Sequence, residues 1–395
     1  MKKTLLAAAL LAGFAGAASA QSSVTLYGII DIGVGYQTVN GGTDAQNQTH
    51  FGMYNGVQQG SRWGLRGVED MGNGNRATFV LESGFDAGNG TMAQSSRLFG
   101  RQSWLGLEND AWGYVRFGRQ YNFALDYMLP IDPFHMGFGI SNMGQSFGSA
   151  NTTRYSNMIK YETPTWSGFK MGVGYSFAPQ MDAYYVNGST VVNGSGNSYN
   201  FDTMNNTRAL TLGANYTNGP LTLAATYDQI NPNSNVNAAS NSASPKEWII
   251  AGMYDFTAVK LSLAYSQTRG GLINPQSATG YAGGGSGTIN GSTWGGAGGA
   301  VLFGDGVGFN SYLVGLSAPI NAASLVFASW QMAVPNGNIQ DFIPSAANQN
   351  TYSIGYQYNF TKRTNLYASL GYVNGIGFVS GVNSTQIFTG VRHLF

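Results

Sequence analysis

The sequence predicts an all-β fold, a 16-stranded antiparallel β-barrel that crosses a membrane. Three observations predict it: many short segments alternate apolar and polar residues, the connections are alternately short and long, and the composition is unusual. Only 9% of the 395 residues are charged, and 57 are glycine. An ordinary soluble domain has about 25% charged residues and about half this share of glycine. Aromatic residues reach 13%, which argues against disorder.

The N-terminus has the layout of a secretory signal peptide. Lys2 and Lys3 give a basic start, residues 4–16 form a largely apolar run, and small residues at 18–20 form a cleavage site. The apolar run is too short for a membrane anchor. We therefore expect residues 1–20 to be removed and residues 21–395 to form one barrel domain. Without the two lysines, 17 basic residues face 18 acidic ones, a balance that gives no argument for nucleic-acid binding.

Alternation of period two identifies the strands. The segment "LTLGANYT" (residues 210–217) places Leu210, Leu212, Ala214 and Tyr216 on one face, with small or polar residues on the other. "LTLAATYD", "VKLSLAYS" and "YSIGYQYNF" repeat the pattern further along the chain. Such alternation predicts strands with one apolar face and one polar face.

The connections divide the chain into 16 strands, from near Val24 to Phe395. Short turns such as Asn218–Gly219 alternate with long segments rich in Gly, Asn and Ser. The long segments are 37–58, 86–97, 120–153, 178–206, 229–246, 268–308, 332–349 and 375–384. One rim of short turns and one of long loops is typical of outer-membrane barrels. A soluble β-sandwich would bury the apolar faces in a core, but here the opposite faces carry Gly, Ser, Thr, Asn, Arg and Glu. A barrel of 16 strands leaves an aqueous channel.

Five segments resemble the general diffusion porins of β-proteobacteria, the Neisseria and Burkholderia type. They are "SSVTLYGIIDIGVGY", "SRWGLRGVEDMGNGNRATFVLESGFD", "RQSWLGLENDAWGYVRFGRQ", "RYSNMIKYETPTWSGF" and "TGVRHLF". They are similar to the family's first six strands and to its closing strand, whereas residues 178–350 match in pattern more than in letters. The resemblance implies a passive channel for ions and small hydrophilic solutes in the cell outer membrane.

The same resemblance implies partners. The barrel is expected to form a homotrimer, to contact outer-membrane lipid and lipopolysaccharide, and to be recognised by the outer-membrane assembly machinery through its C-terminal strand and Phe395. The resemblance also implies that the third long loop folds inward. The composition of loop 120–153 supports this independently, because it is far more apolar than the other loops, and an apolar loop is expected to pack against a wall. The alternative is that this loop covers a subunit contact.

If the apolar positions of each strand face lipid, the alternation of side chains along the strand (its phase) tells which charged residues point into the lumen. In the second strand, Trp63 and Leu65 then point outward, while in the sixth strand Tyr155, Ile159 and Tyr161 do so. The inward charged residues assigned in this way are Asp31, Arg62, Arg66, Arg76, Glu82, Arg116, Arg154, Lys160, Glu162 and Lys170. Arg101 is ambiguous by phase, since Leu105 and Leu107 share its face, and the resemblance makes it inward.

The resemblance identifies Arg62, Arg101 and Arg154 with the family's basic constriction cluster, and Glu82 and Asp132 with the acidic side. Opposed charges across a narrow aqueous gap produce a transverse field. The excess of arginine predicts a mild to moderate anion preference. The alternative is that some arginines, especially Arg66 and Arg76, only pair with wall carboxylates.

Other functions have weaker support. A channel specific for a sugar or an organic anion would need a continuous lumenal aromatic track, of which Tyr27 and Tyr114 are only fragments. Loops 178–206 and 268–308 leave an adhesin or receptor barrel open. The three histidines fall in no catalytic or metal motif, and the chain has no cysteine. We therefore expect neither enzymatic activity nor a metal or cofactor.

Overall fold

The computed structural model describes residues 23–41, 47–151, 153–179, 183–186, 189–193, 206–233, 243–273, 287–289, 292–294, 300–337 and 346–395. The expected signal peptide and much of the loops 178–206 and 268–308 lie outside these residues. In the described part of the chain, no helix is both long enough and apolar enough to span a membrane.

Sixteen antiparallel strands form the wall. They are β1 (Ser23–Asn40), β2 (Arg62–Gly72), β3 (Asn75–Gly84), β4 (Gln102–Asn109), β5 (Gly113–Tyr121), β6 (Arg154–Glu162), β7 (Phe169–Ser176), β8 (Arg208–Asn218), β9 (Leu221–Asn231), β10 (Lys246–Asp255), β11 (Lys260–Ile273), β12 (Ala300–Pro319), β13 (Ser324–Gly337), β14 (Gln349–Asn359), β15 (Thr364–Asn374) and β16 (Asn383–Leu394). Each strand pairs with the next, and β1 pairs with β16 over twelve residues, which closes the barrel. The predicted fold class is confirmed.

Smaller elements lie in the long loops. They are the strands Gln48–Asn55, Ala183–Val186, Ser189–Asn193, Gly287–Ile289 and Ser292–Trp294, the helix α1 (Phe123–Met128), the 3₁₀ turns Gly139–Ser141, Met143–Gln145, Gly148–Ala150 and Ile376–Phe378, and the turn Ala93–Ser96. The strand Gln48–Asn55 pairs with the second half of β1, whereas β2 pairs only with the first half. The first residue of β2 therefore lies near mid-height in the wall.

The wall turns its apolar residues outward. On β9, β10 and β11 the side chains of Leu223, Ile250 and Leu263 are each about half exposed, while their alternating neighbours such as Thr226 and Ser266 are buried inside. Because a barrel of this kind has lipid outside and polar residues inside, this is the arrangement that the alternation predicted.

One outward assignment is wrong. Tyr155 on β6 is fully buried, and its hydroxyl donates a hydrogen bond of 3.0 Å to Asp228 Oδ1 inside the barrel. Asn157 has a φ of 50°, and a left-handed residue within a strand interrupts the alternation of faces. Ile159, beyond this break, is exposed on the outer face as expected.

The third long loop lies inside the barrel. Residues of this loop, including Phe123, Met128 and Phe147, form a buried cluster with wall residues such as Ala224 and Ile249. These two wall residues face inward, since their chain neighbours Leu223 and Ile250 are exposed on the outer face. Apolar packing thus holds the loop to the inner wall.

Polar wall side chains fasten the same loop along its length. Gln331 on β13 donates from Nε2 to the carbonyl oxygens of Ser141 and Asn142, both at 3.0 Å. Gln349 on β14 donates to the carbonyl of Gln145 at 2.9 Å. These bonds satisfy buried carbonyl groups that water does not reach, which is how an irregular segment is tolerated in the interior.

The two ends of the loop are bound by a pair of buried carboxyl groups. Asp228 on β9 and Glu247 on β10 are directly opposite each other and both are buried. Asn122 Nδ2, at the start of the loop, donates to Asp228 Oδ1 at 2.9 Å. The backbone N–H of Ser149, near its end, donates to Glu247 Oε2 at 2.7 Å. The pair lies beneath the loop and away from the open lumen.

A third buried carboxyl group lies at the seam where β1 and β16 close the barrel. Asp31 on β1 is buried and accepts a bond of 2.6 Å from the hydroxyl of Tyr367 on β15, across the intervening β16. Its other oxygen accepts the backbone N–H of Gln59 at 2.6 Å. The carboxylate therefore connects β1 to β15 and to the end of the first loop, and Arg392 on β16 lies directly opposite Asp31 in the sheet.

Replacing Tyr367 by Phe removes the hydroxyl that bonds Asp31 while keeping the ring. Because a buried acceptor then loses its partner, we expect a loss of about 1–3 kcal/mol of stability. The measurement is the temperature at which the folded band converts to the unfolded band in semi-native gel electrophoresis. Tyr358→Phe, on an outward ring that contacts Phe360, serves as the control. Equal conversion temperatures for both variants would contradict a contribution from the seam bond.

Candidate channel constriction

Three arginines converge inside the barrel at about mid-height. Arg62 is the first residue of β2 and pairs with Ile29 of β1. Arg154 is the first residue of β6 and pairs with Tyr121, the last residue of β5. Arg101 directly precedes β4, and its backbone N–H donates to the carbonyl of Glu82 at 3.1 Å. Each arginine thus lies where a strand meets a long loop. We call Arg62, Arg101 and Arg154 the arginine cluster.

A tyrosine joins two members of the cluster. The hydroxyl of Tyr121 accepts a bond of 2.7 Å from Arg101 Nη2 and one of 3.2 Å from Arg154 Nη2. The guanidinium carbon of Arg154 lies 4.7 Å from the centre of the Tyr121 ring, within the range of a cation–π contact. The ring therefore acts as a polar and aromatic spacer between like charges.

Sequence reasoning missed Tyr121. Strict alternation from Val115 and Phe117 places it on the lipid side. However, the register between β5 and β6 shifts between Gly118 and Gln120, and Gly118 has a φ of 130°. Such a bulge moves the following side chains to the other face. The glycine within the strand was one available signal, and Arg119, a charge that strict alternation would turn to lipid, was another.

Arg62 reaches the cluster through the backbone of the first loop. Its Nε donates to the carbonyl of Gly60 at 2.9 Å. A Cβ atom at position 60 would lie 3.2 Å from Arg101 Nη1, so this glycine lies directly against the neighbouring guanidinium. The first loop thus helps to set the spacing of Arg62 and Arg101.

Glu82 supplies the acidic partner of the cluster. Arg101 Nε donates to Glu82 Oε1 at 2.7 Å, an ion pair whose two side chains are both less than a tenth exposed. The hydroxyl of Tyr27 on β1 donates to the other oxygen at 3.1 Å. Both carboxylate oxygens are therefore occupied, and this contact gives Arg101 the inward orientation that phase alone left ambiguous.

The remaining lumenal charges are mostly neutralised in pairs. Lys170 Nζ lies 3.0 Å from Glu162 Oε1, and Arg116 Nη2 lies 2.8 Å from Glu108 Oε1. Lys160 pairs with Asp126 of α1. The last two acidic partners were not among the residues singled out from the sequence. Glu108 lies directly opposite Arg76, an assigned lumenal residue, but was overlooked, and Asp126 lies in a loop.

Arg66 and Arg76 differ from each other. Arg76 pairs at 2.7 Å with Asp110, a residue of an exposed short turn, so it lies at the rim, and its partner is not one of the wall carboxylates considered from the sequence. Arg66 is exposed to the lumen, with its guanidinium carbon 5.4 Å from the centre of the Tyr27 ring.

Asp132 does not line the lumen in the structure, in contrast to the expectation. It is fully buried and accepts backbone N–H bonds from Phe134, Met136 and Met143 at 3.2, 2.9 and 3.3 Å. Burial raises the pKa of this carboxyl above its ordinary value, although the bonds from Met136 and Phe134 oppose the shift. The side chain organises the turn of the loop. Sequence reasoning could not foresee this, because the three amides meet only in the folded loop.

Tyr127 of α1 links the loop to the charged wall. Burial, and next the Glu162 carboxylate, raise the pKa of its phenol well above the ordinary value. The phenol therefore stays protonated and donates a bond of 2.7 Å to Glu162 Oε2. Because Glu162 also pairs with Lys170, the helix is joined to a neutralised site on β6 and β7.

A closed barrel with an apolar exterior, a polar lumen and a loop folded inside it defines a channel-forming outer-membrane protein. A family profile described as Gram-negative porin matches residues 7–376, and the chain belongs to this family. It forms a water-filled channel in the outer membrane through which ions and small hydrophilic solutes diffuse passively. The family resemblance and the location inferred from the sequence are confirmed.

Relatives match along the full length of the chain. An outer membrane porin protein of Bordetella pertussis is 48% identical over 409 residues, covering all of both chains. Outer membrane porin protein 32 of Delftia acidovorans is 31% identical over 431 residues, again covering both chains. Among solved structures, an anion-selective porin from Comamonas acidovorans is 25% identical with a TM-score of 0.67, over 95% of this chain and 100% of that chain.

Replacing Asp132 by Ala leaves three buried amides without their acceptor. Each unsatisfied group costs about 1–3 kcal/mol, so we expect the loop to leave the wall for part of the time while the barrel stays closed. Single-channel recordings should then show larger and noisier conductance than the wild type. Asp110→Ala, at an exposed turn, is the control and should conduct steadily. Unchanged conductance in Asp132→Ala would contradict the role given to this residue.

Proposed function

We propose that the arginine cluster is the selectivity constriction of the channel and that it favours anions mildly to moderately. The observation that carries the proposal is the local charge balance. Three guanidinium groups meet one carboxylate, Glu82, which is bound to Arg101. Neither Arg62 nor Arg154 has a carboxylate within ion-pair distance among the described residues.

The other lumenal charges do not offset this excess. Glu108, Asp126 and Glu162 each have their own cation, and Asp31 lies directly opposite Arg392. A positive excess in a narrow aqueous passage raises the local anion concentration. The similar porin from Comamonas acidovorans is anion-selective, which is consistent with the proposal.

Glu82 gives the constriction its acidic side, because it is the carboxylate that lies beside the arginine cluster in the described part of the chain. Asp126 is bound to Lys160, and Glu162, on the same strand as Arg154, is bound to Lys170. The charge separation between Glu82 and the guanidinium groups supplies a transverse field that orients dipolar solutes. Asp132 is buried within the loop and has no part in this field.

The reversal potential across a planar bilayer with a KCl gradient tests the selectivity, and we expect it to have the sign of chloride preference. A charge about 4 Å from an ion contributes about 1 kcal/mol in water, a factor of about five. Arg62→Glu should therefore lower the chloride-to-potassium permeability ratio by about fivefold or more. Arg66→Glu, further along the same strand, should lower it less.

Two results would contradict the selectivity proposal. A clear potassium preference of the wild type would reject an anion-favouring constriction. Equal effects of the Arg62 and Arg66 substitutions would mean that the constriction lies elsewhere along the lumen.

We also propose that three barrels assemble, that residues 1–20 are cleaved on export, and that Phe395 is part of the signal read during membrane assembly. Phe395 completes the seam, since its backbone N–H and carbonyl both bond to Gly28 of β1. The relatives of this chain are porins, and we propose transport as the role of the barrel.

Single-channel closure steps test the assembly. If each barrel is an independent pore in a trimer, the conductance of one inserted unit should close in three equal ohmic steps. Chemical crosslinking of the detergent-extracted protein provides the second measurement. One-step closures together with a crosslinked monomer would reject the trimer.

A further inference from the structure

A row of cationic and amide side chains lies on the outer face of β9, β10 and β11. Gln229, Lys246 and Arg269 are direct partners across these three strands. Their chain neighbours Asp228, Glu247 and Thr268 are buried inside the barrel, so strand alternation puts the three side chains on the outside. We call Gln229, Lys246 and Arg269 the outer cationic row.

An aromatic band lies directly below this row. Trp248 and Tyr265 have ring centres 5.2 Å apart, and Tyr265 and Tyr312 are also 5.2 Å apart. Below them, Ile250 and Leu263 are exposed apolar residues. Aromatic belts mark the boundary between hydrocarbon and headgroups. Lys246 lies two residues from Trp248 toward the long loops, a distance of about 7 Å along the strand. The outer cationic row therefore lies at headgroup level on the long-loop side.

The two cations of the row have no carboxylate partner in the described part of the chain. Lys246 and Arg269 are directly opposite each other, an arrangement of like charges that destabilises a sheet. Arg269 Nη1 donates to the carbonyls of Thr268 and Phe309 at 2.7 and 3.4 Å, which leaves its charge uncompensated. By contrast, Lys260, at the short-turn end of β11, lies 3.3 Å from Asp255.

Amide side chains complete a polar border around the cations. Gln267 Nε2 donates to Asn310 Oδ1 at 3.3 Å, and the hydroxyl of Tyr227 donates to Gln229 at 2.5 Å. These amide and hydroxyl groups lie on the same outer face, where they offer hydrogen-bond donors and acceptors at the level of the cations. A cation pair, an amide border and an apolar surface below fit a ligand with phosphate groups above acyl chains.

We propose that the outer cationic row binds a phosphate group of lipopolysaccharide in the outer leaflet, with acyl chains against Ile250 and Leu263. Lys246 and Arg269 neutralise the phosphate, and the repulsion between them is relieved when the lipid is bound. The proposal rests on the outer-membrane location of the barrel and is independent of the ion selectivity of its lumen.

Lipid binding to the folded protein in detergent tests the proposal. Native mass spectrometry counts the purified diphosphoryl lipid A molecules retained per barrel, and lipid A freed of both phosphates is the comparison ligand. Each cation near an anionic headgroup contributes a factor of about five. The double variant Lys246→Gln with Arg269→Gln should therefore bind diphosphoryl lipid A at least about tenfold more weakly than the wild type.

A matched control removes one lysine and one arginine from the opposite rim, by Lys260→Gln with Arg363→Gln. This variant should retain wild-type binding, and the dephosphorylated lipid should bind weakly and equally to all three proteins. Bilayer conductance should be the same in all three, which separates this test from that of the channel function.

Three results would overturn the proposal. In the first, the double variant binds diphosphoryl lipid A as tightly as the wild type. In the second, the dephosphorylated lipid binds the wild type equally well, so that only acyl chains are recognised. In the third, the double variant loses its assembly in crosslinking, which would make the row a contact between subunits.

Discussion

The pairing of every backbone N–H and C=O group within the wall is the constraint on which the rest of the structure depends. In hydrocarbon no water is present to satisfy an open sheet edge, so β1 must meet β16, and twelve residue pairs close that seam. Closure fixes two faces for each strand, one toward lipid and one toward the lumen. Charge is then tolerated only inside the barrel or at its rims, which is where the described salt bridges lie.

The lumen is organised as a protein interior on one side and as a solvent channel on the other. Along β8–β16, Ala, Thr, Ser and Gln side chains take the third loop as a packed lining, with bonds such as those from Gln331 and Gln349. Along β1–β6 the wall keeps its arginines. The third loop therefore occupies the side of the lumen formed by β8–β16, whereas the arginine cluster lies on the side formed by β2–β6.

Local patterns predicted the fold well and the constriction in part. Alternation was enough to predict the number of strands. It was also enough to predict that Arg62 faces inward, because Trp63 and Leu65 on the other face are plainly apolar. It failed at Tyr155 and Tyr121, where Asn157 and Gly118 break the alternation of faces. It could not resolve Arg101, whose orientation comes from an ion pair with a different strand. Asp132 lies beyond any periodic rule, because three amides of a folded loop determine its environment.

The nearly balanced charge of the chain conceals a separation of charge across the wall. On β10 the adjacent residues Glu247 and Lys246 face opposite sides, the acid inside beneath the loop and the cation on the outer face. The chain neighbours Asp228 and Gln229 on β9 are divided in the same way. Consecutive residues of one strand thus place their side chains in different solvents. A shift of the strand's register by one residue would exchange the side chains that face the lumen with those that face outward. The residues that face the lumen and those that face outward are therefore set by the same hydrogen-bonded register, which the closed seam fixes.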